Sequence, residues 1–340
     1  MRHLVIVVVA AASALLLALV SWGAPWVGRS VGFSQLIAMR PLVTLFGLVV
    51  AAVLLASALT PRRRLTALVA GTLVALLAVS NVMTLTGRGL GATAPEAAAT
   101  EAASAPAGAL RVLSWNTTPT GVPVDEVARL AVQLHADVVA LPETRPTRAA
   151  RIAAAMHQLG QPMWVIPDSS DTTRYTMSLL VAARFSYAVE PDTSATGFAD
   201  GVRGGVLAAP TRGGGPEIAV VHAQQPGFSR SQAQAGIWRA HLDWVRRLCA
   251  SGRQLVIAGD FNATVDNLGA VPGCTLAAQQ TGTAGATGTW PTGLPAWAGA
   301  NIDHVLVTSG WRATTFRVLS GHDRSGSDHR PVFAVLVPAS

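Results

Sequence analysis

The chain has 340 residues, 50% of them hydrophobic and 13% charged, with 25 Arg, no Lys, 18 acidic residues and two Cys. So apolar a composition points to membrane spans, and the lack of Lys excludes Schiff-base chemistry and Lys-dependent phosphate loops. The formal charge of +7 belongs to the first 88 residues, which hold seven Arg and no acid; the 18 Arg that follow face 18 acids, so the remainder is neutral and lacks the clustered charge of a duplex-wrapping protein.

In chain order, three uncharged apolar stretches come first: Leu4 to Trp22, Pro41 to Leu59 and Leu65 to Leu85. At about 1.5 Å rise per residue, each reaches across an apolar core of about 30 Å. Arg2 and His3 precede the first span, and Arg62, Arg63 and Arg64 fill the hairpin between the second and third. The positive-inside rule puts both on the cytoplasmic side, so everything after Leu85 is expected outside, in a multi-pass cell-membrane protein. The first span also reads as a signal peptide, which would leave the final orientation unchanged. Residues 1–86 are thus expected to be an anchor in the lipid bilayer. Residues 87–109, "GRGLGATAPEAAATEAASAPAGA", read as a tether without a sustained apolar face.

From Leu110 to residue 340, short apolar runs alternate with amphipathic stretches, the pattern of α/β layers in one large domain. Strands are expected at Leu110–Trp115, Asp137–Leu141, Thr176–Ala182, Val202–Ala208, Ile218–His222, Gln254–Ala258, Ile302–Val307 and Val332–Val337. Helical stripes run through Val124, Val127, Leu130, Ala131 and Leu134, and through Ile237, His241, Trp244 and Leu248. The Gly/Thr/Ala/Pro-rich segment 281–300, with Trp290 and Trp297, reads as a long loop. Cys249 and Cys274 fall in the part expected outside, flank the strand and loop of Asp260 and Asn262, and are expected to form a disulfide.

Several of these strands end in polar residues that a core would avoid. "RVLSWN" ends at Asn116, "DVVALPET" reaches Glu143, "IAVVH" ends at His222, and "VIAGDFNATV" carries Asp260 and Asn262. "NIDHVLV" opens near Asp303, and "SGSDHRPVFAVLV" holds Asp328 and His329. Each alone has a bland explanation as a turn, a cap or a solvated loop residue. Together they place carboxylates, amides and imidazoles beyond the ends of strands, where α/β proteins gather ligands.

In "LSWN", "LPET", "GDFNAT", "IDHVLV" and "SDHRPV", in that order, the chain resembles the endonuclease/exonuclease/phosphatase superfamily with the deoxyribonuclease I-like fold, in a membrane-anchored bacterial form. The resemblance implies a four-layer sandwich of two mixed β-sheets flanked by helices, and metal-dependent hydrolysis of a phosphate ester. It implies Glu143 as the principal metal carboxylate, with Asn116 and Asp328 near the same Mg²⁺, or Mn²⁺. Asp260 and Asn262 match the pair that handles the attacking water and the phosphate. His329 matches the histidine beside the scissile phosphate, Asp303 its orienting acid, and His222 a second phosphate-contacting histidine. Thr118 stands where many members carry a second acid or Asn, and Asp168 and Asp171 are the loop candidates for an acid partner of His222. The expected activity is that of a phosphodiesterase or phosphomonoesterase, with nuclease-type hydrolysis of nucleic acid as the leading substrate reading. Hydrolysis of a phospholipid or phosphoinositide headgroup at the membrane surface, and a catalytically silent binding domain, are the alternatives.

Overall fold

The computed structural model describes residues 2–22, 25–30, 32–91, 95–118, 121–167, 176–190, 204–227 and 232–339. Three helices are long and apolar enough to cross a membrane: α1 (Arg2–Trp22), α4 (Arg40–Ser57) and α5 (Arg64–Gly87). Two short helices, α2 (Pro25–Gly28) and α3 (Phe33–Ala38), link the first two spans. Leu17, Val43, Leu54, Val74 and Ala78 pack inside the bundle, whereas Leu4, Val8, Phe46, Val53, Leu73 and Leu76 stay exposed around it. An apolar outer face of this kind suits hydrocarbon. Asn81, the one amide in the spans, accepts from Arg40 Nη1 at 3.2 Å and donates to Ser21 Oγ at 2.7 Å, so its polarity is satisfied within the bundle.

The segment expected to be a free tether contains a packed helix, α6 (Pro95–Ala103). Ala98 and Ala102, one turn apart, are fully buried against the domain, Glu101 pairs with Arg317, and Arg111 Nε donates to the Ala102 carbonyl at 2.8 Å. An Ala-only stripe has too little contrast to register as an apolar face, yet it lets a helix approach a sheet closely.

Twelve strands follow: β1 (Leu110–Ser114), β2 (Val138–Pro142), β3 (Met163–Pro167), β4 (Met177–Ala182), β5 (Tyr187–Val189), β6 (Gly205–Pro210), β7 (Glu217–His222), β8 (Leu255–Asp260), β9 (Cys274–Leu276), β10 (Asp303–Thr308), β11 (Trp311–Val318) and β12 (Val332–Pro338). They form two six-stranded mixed sheets, ordered β11-β12-β1-β2-β4-β3 and β5-β6-β7-β8-β10-β9. Val112, Val138, Leu179, Val220, Val256, Val305 and Phe316 meet between the sheets. Outside the first sheet lie α7 (Val124–Gln133) and α8 (Pro146–Gln158); outside the second lies α9 (Gln232–Cys249). Val127, Leu130 and Ala131 of α7, and Trp238, Leu242 and Val245 of α9, are the buried stripes that hold these outer layers. The fold is therefore the expected four-layer sandwich preceded by three apolar helices.

Each sheet contains one parallel pair, β1 with β2 and β7 with β8. Parallel neighbours end at the same edge, so the residues at or just after the ends of β1, β2, β7 and β8 gather there: Asn116, Glu143, His222 and Asp260. Short helices α10 (Val265–Leu268) and α11 (Ala277–Thr281) frame the segment beyond β8. Cys249, closing α9, is disulfide-bonded to Cys274, opening β9, across a separation of 25 residues. In the chain-entropy account, closing such a loop is worth roughly 3.5 kcal/mol.

Candidate active site

β8 is buried throughout. At its end Asp260 faces the gap between the sheets while Phe261 packs on the α9 side, the alternation of an extended chain. Gly259 has φ 147, and a Cβ there would meet the Val221 carbonyl oxygen at 1.9 Å. Only glycine permits β7 and β8 to approach so closely, and their register sets His222 opposite Asp260. On the other side β10 runs antiparallel with Asp303 directly opposite Asp260. Two buried carboxylates in cross-strand register repel unless a cation stands between them.

His329 supplies it. Its Nδ1 lies 2.9 Å from Asp303 Oδ2, and its Nε2 lies 3.7 Å from Asp260 Oδ2 and 4.0 Å from Asp328 Oδ1. Burial pushes the imidazole down, but Asp303 and Asp260 outweigh that and raise its pKa to about 10, so it is a cation at neutral pH. Burial, together with Asp303, pushes Asp260 up to about 6 against the pull of His329. Asp260 Oδ1 accepts the Asn262 backbone N–H at 2.8 Å. Its Oδ2 accepts the amides of Asn116 at 3.1 Å and Asn262 at 3.3 Å.

Asn116 Nδ2 also donates to Glu143 Oε1 at 3.1 Å within the first sheet, so that its bond to Asp260 links the ends of the two sheets. Its Oδ1 accepts the Thr118 N–H at 3.0 Å and keeps a second lone pair. His222 Nε2 stands 3.4 Å from Glu143 Oε1. Burial raises the Glu143 pKa, but the hydrogen bond and charge of His222, with the Asn116 amide, hold it below the usual range. Glu143 and Asn262 have φ of 55 and 46, a left-handed conformation that non-glycine residues rarely adopt.

Glu143, His222, Asp260, Asn262, Asp328 and His329 all line one cleft of about 360 Å³. Asn116 and Asp303 stand buried behind it, hydrogen-bonded to the side chains in front. Asp328 is half exposed and accepts Trp290 Nε1–H at 2.9 Å, so it occupies the Trp290 side of the cleft. His304 points to the other sheet face, as its position in β10 requires. There Nε2 meets the Ala263 carbonyl at 2.8 Å, and burial lowers its pKa. Asp168 and Asp171 lie outside the described residues. A larger hollow, about 600 Å³, opens at the opposite strand ends, but its one carboxylate, Asp137, is already paired with Arg111 and Arg184.

Among the described residues, Asp260, Asp303 and His329 are the group of three whose ligand atoms lie within 4.8 Å of one another. A metal-bound imidazole must be deprotonated, whereas His329 is held protonated between two carboxylates. These three form a row joined by a hydrogen bond and a close charge pair. A cation fits better at Glu143, whose carboxylate is held below the usual pKa range and is partly open to the cleft, with the Asn116 amide hydrogen-bonded to it. The Glu143 carboxylate is a hard oxygen donor, and both sulfurs are in the disulfide, so the site suits a hard divalent ion, with the His222 imidazole at its edge.

Sequence reasoning missed two further contributors. Arg330, fully buried, braces the loop carrying Trp290. Ser34, Gln35, Ala38 and Met39, from the link between the first two spans, line the same cleft. An Arg between His329 and Pro331, at the mouth of an apolar strand, was a legible signal for the first; nothing local signals the second.

Residues 116–329, more than half of the chain, match the endonuclease/exonuclease/phosphatase family. The chain belongs to that family. Its fold is similar to that of D. rerio TDP2 complexed with single-strand DNA product, with TM-score 0.52 and 17% identity over 67% of this chain and 98% of the other. An endonuclease/exonuclease/phosphatase from Beutenbergia cavernae gives TM-score 0.51 and 19% identity over 68% and 72%. Truncated Caenorhabditis elegans TDP2 gives 0.50 and 18% over 67% and 98%. At these identities the likeness concerns the fold. No curated protein matches the chain.

Proposed function

We propose that the protein is a membrane-anchored, extracytoplasmic phosphoesterase that uses a divalent cation, Mg²⁺ or Mn²⁺. The observation that carries this reading is the row Asp303, His329, Asp260, set beside Glu143 and Asn116 in one cleft. Above its pKa Asp260 accepts a proton from water, whose oxygen forms the new bond to phosphorus as the ester P–O bond breaks. The released alcohol oxygen takes up one proton, so one water is consumed for each ester bond cleaved. The His329 cation and the Asn262 amide offset charge on the phosphoryl oxygens, the dominant contribution in this reaction class. Glu143, with Asn116 hydrogen-bonded to it and Asp328 on the Trp290 side of the same cleft, would hold the cation, which would supply charge neutralisation at the phosphate. The D. rerio neighbour is complexed with single-strand DNA product, and the fold alone does not select between nucleic acid and another phosphate ester.

Turnover of bis(p-nitrophenyl) phosphate with and without Mg²⁺ tests the activity. Glu143→Gln removes ligand charge with little change in volume, so the Mg²⁺ concentration for half-activity should rise at least about tenfold. An unchanged titration would remove Glu143 from the metal shell.

The topology rests on the arginine hairpin at the cytoplasmic end of α4 and α5, and it agrees with the joined cysteines. Acid-quenched cells, denatured and alkylated without reduction, should leave Cys249 and Cys274 unmodified. Modification of both thiols would place the domain on the reducing side.

A further inference from the structure

The anchor does more than hold the domain at the membrane, because its residues close the active-site cleft. Asp266, six residues beyond Asp260, receives two hydrogen bonds of 3.0 Å from Arg88, at the end of the third span, and one of 3.0 Å from Arg40, at the start of the second. Asn267 donates to the carbonyls of Gly28 at 2.7 Å and Ser34 at 3.2 Å, and Arg29 donates to the carbonyls of Asn267 at 3.1 Å and Leu268 at 3.0 Å. The anchor thus grips the stretch that follows the GDFN strand end. On the far side of the cleft, Gln35 of α3 donates to the carbonyl of Gly227, in the loop leaving His222. Between these grips, Gln35, Ala38 and Met39 face Glu143, His222 and Asp260 across the cleft.

The outer ends of all three spans, at Trp22, Arg40 and Gly87, meet at this place, so the cleft lies at the level where the bundle leaves the bilayer. Phe33 and Leu36, three apart and therefore on one face of α3, are 39% and 41% exposed. An exposed apolar face on a short helix between two spans suits the interface between headgroups and acyl chains. The cleft volume of about 360 Å³ suits one small group, and among the described residues α3 borders it. Trp290, Ile302, Pro226 and Met39 give it apolar walls.

We propose that α3 is the membrane-side wall of the substrate pocket, and that the substrate is a phosphate ester of a lipid, its headgroup taken from the leaflet in which α3 lies. The proposal rests on the phosphoesterase reading above. It makes Gln35 and Met39 specificity-determining residues supplied by the anchor.

The test uses the full chain reconstituted in phosphatidylcholine vesicles containing phosphatidylglycerol or a phosphatidylinositol phosphate, with Mg²⁺. Bis(p-nitrophenyl) phosphate and single-stranded DNA are assayed in parallel. Lipid turnover should exceed that of DNA at least about tenfold, and Gln35→Ala with Met39→Ala should lower the lipid-to-aryl turnover ratio about tenfold, the scale of a lost pocket contact. A second readout is independent of turnover: dihexanoyl phosphatidylglycerol should slow hydrogen exchange in Phe33–Ala38 and in residues 223–227. Hydrolysis of the aryl ester or DNA with inert lipids would overturn the lipid proposal and leave the phosphoesterase standing. If no ester is hydrolysed, the phosphoesterase reading fails, and absence of exchange protection by the short-chain lipid would overturn the lipid site as well.

Discussion

Asp260→Asn should lower turnover of the best phosphate ester at least about a hundredfold, and His329→Gln should do the same, without loss of the folded state. The two residues fail for different reasons, and pH separates them. Asp260 must be ionised to accept a proton, so wild-type kcat/KM should be full above its pKa of about 6 and fall as pH drops through that value. His329 must be charged, and with a pKa of about 10 it remains so across the neutral range. Its removal takes a cation from between Asp303 and Asp260, whose carboxylates oppose each other across β8 and β10. Asp260 in the His329→Gln variant therefore loses its nearest positive charge, its pKa rises further, and the acid limb of the residual activity moves to higher pH. Near-wild-type rates in both variants would sink the assignment of the row. An acid limb unmoved by His329→Gln would show that Asp260 is not the group that titrates there.

What the sequence made legible, and what it hid, follows from where each signal resides. All eight expected strands are present, because apolar runs of five to seven residues bounded by Gly, Pro or polar residues are local features. The expected strand at Val202–Ala208 starts at Gly205 among the described residues. β5 and β9 escaped notice because three residues carry too little pattern. β11 escaped because a bulge between Ala313 and Thr315 breaks the period of two on which strand reading depends. In α8, Ala149, Ile152, Ala153 and Met156 form the buried stripe, but Ala blurs its contrast with the exposed side.

That these residues converge was legible because each stands at or next to a strand end, and strand ends converge once the sheets pair as β1 with β2 and β7 with β8. Their division of labour was not. Whether His329 stands with Asp303 or with a metal depends on distances that no spacing in the sequence encodes. The same is true of the cleft's fourth wall: Gln35 and Gly227 are separated by 192 residues, and only the fold brings α3 to the loop after His222.

Arg330→Met should be the most damaging substitution away from the reacting groups. The side chain is wholly buried, and its guanidinium forms a two-point pair with Asp323, Nε and Nη2 each donating at 2.7 Å. The remaining N–H groups reach the carbonyls of Gly288 at 3.0 Å, Pro291 at 3.3 Å and Leu294 at 2.7 Å, while its backbone N–H donates to Thr289 at 2.8 Å. One side chain thus ties the 288–294 loop to the strand entrance that carries His329. Met fills similar volume but leaves Asp323 and several carbonyls without donors. Asp323 is a third exposed, so the larger cost is that of the carbonyls left without donors, on the order of 1–3 kcal/mol for each buried one. The thermal midpoint of the full chain in detergent should fall accordingly, and Arg330→Lys should rescue little, because an ammonium cannot reproduce the planar fork. Trp290 and Asp328 share that loop and its partner segment through the bond between Trp290 Nε1 and Asp328 Oδ2. In protein kept folded at low temperature, KM should therefore rise more than kcat falls, since the loop lines the cleft but carries none of the proton-handling groups. A loss of stability of no more than about 1 kcal/mol, the ordinary effect of a substitution with no special mechanism, would mean that the loop is held by other contacts.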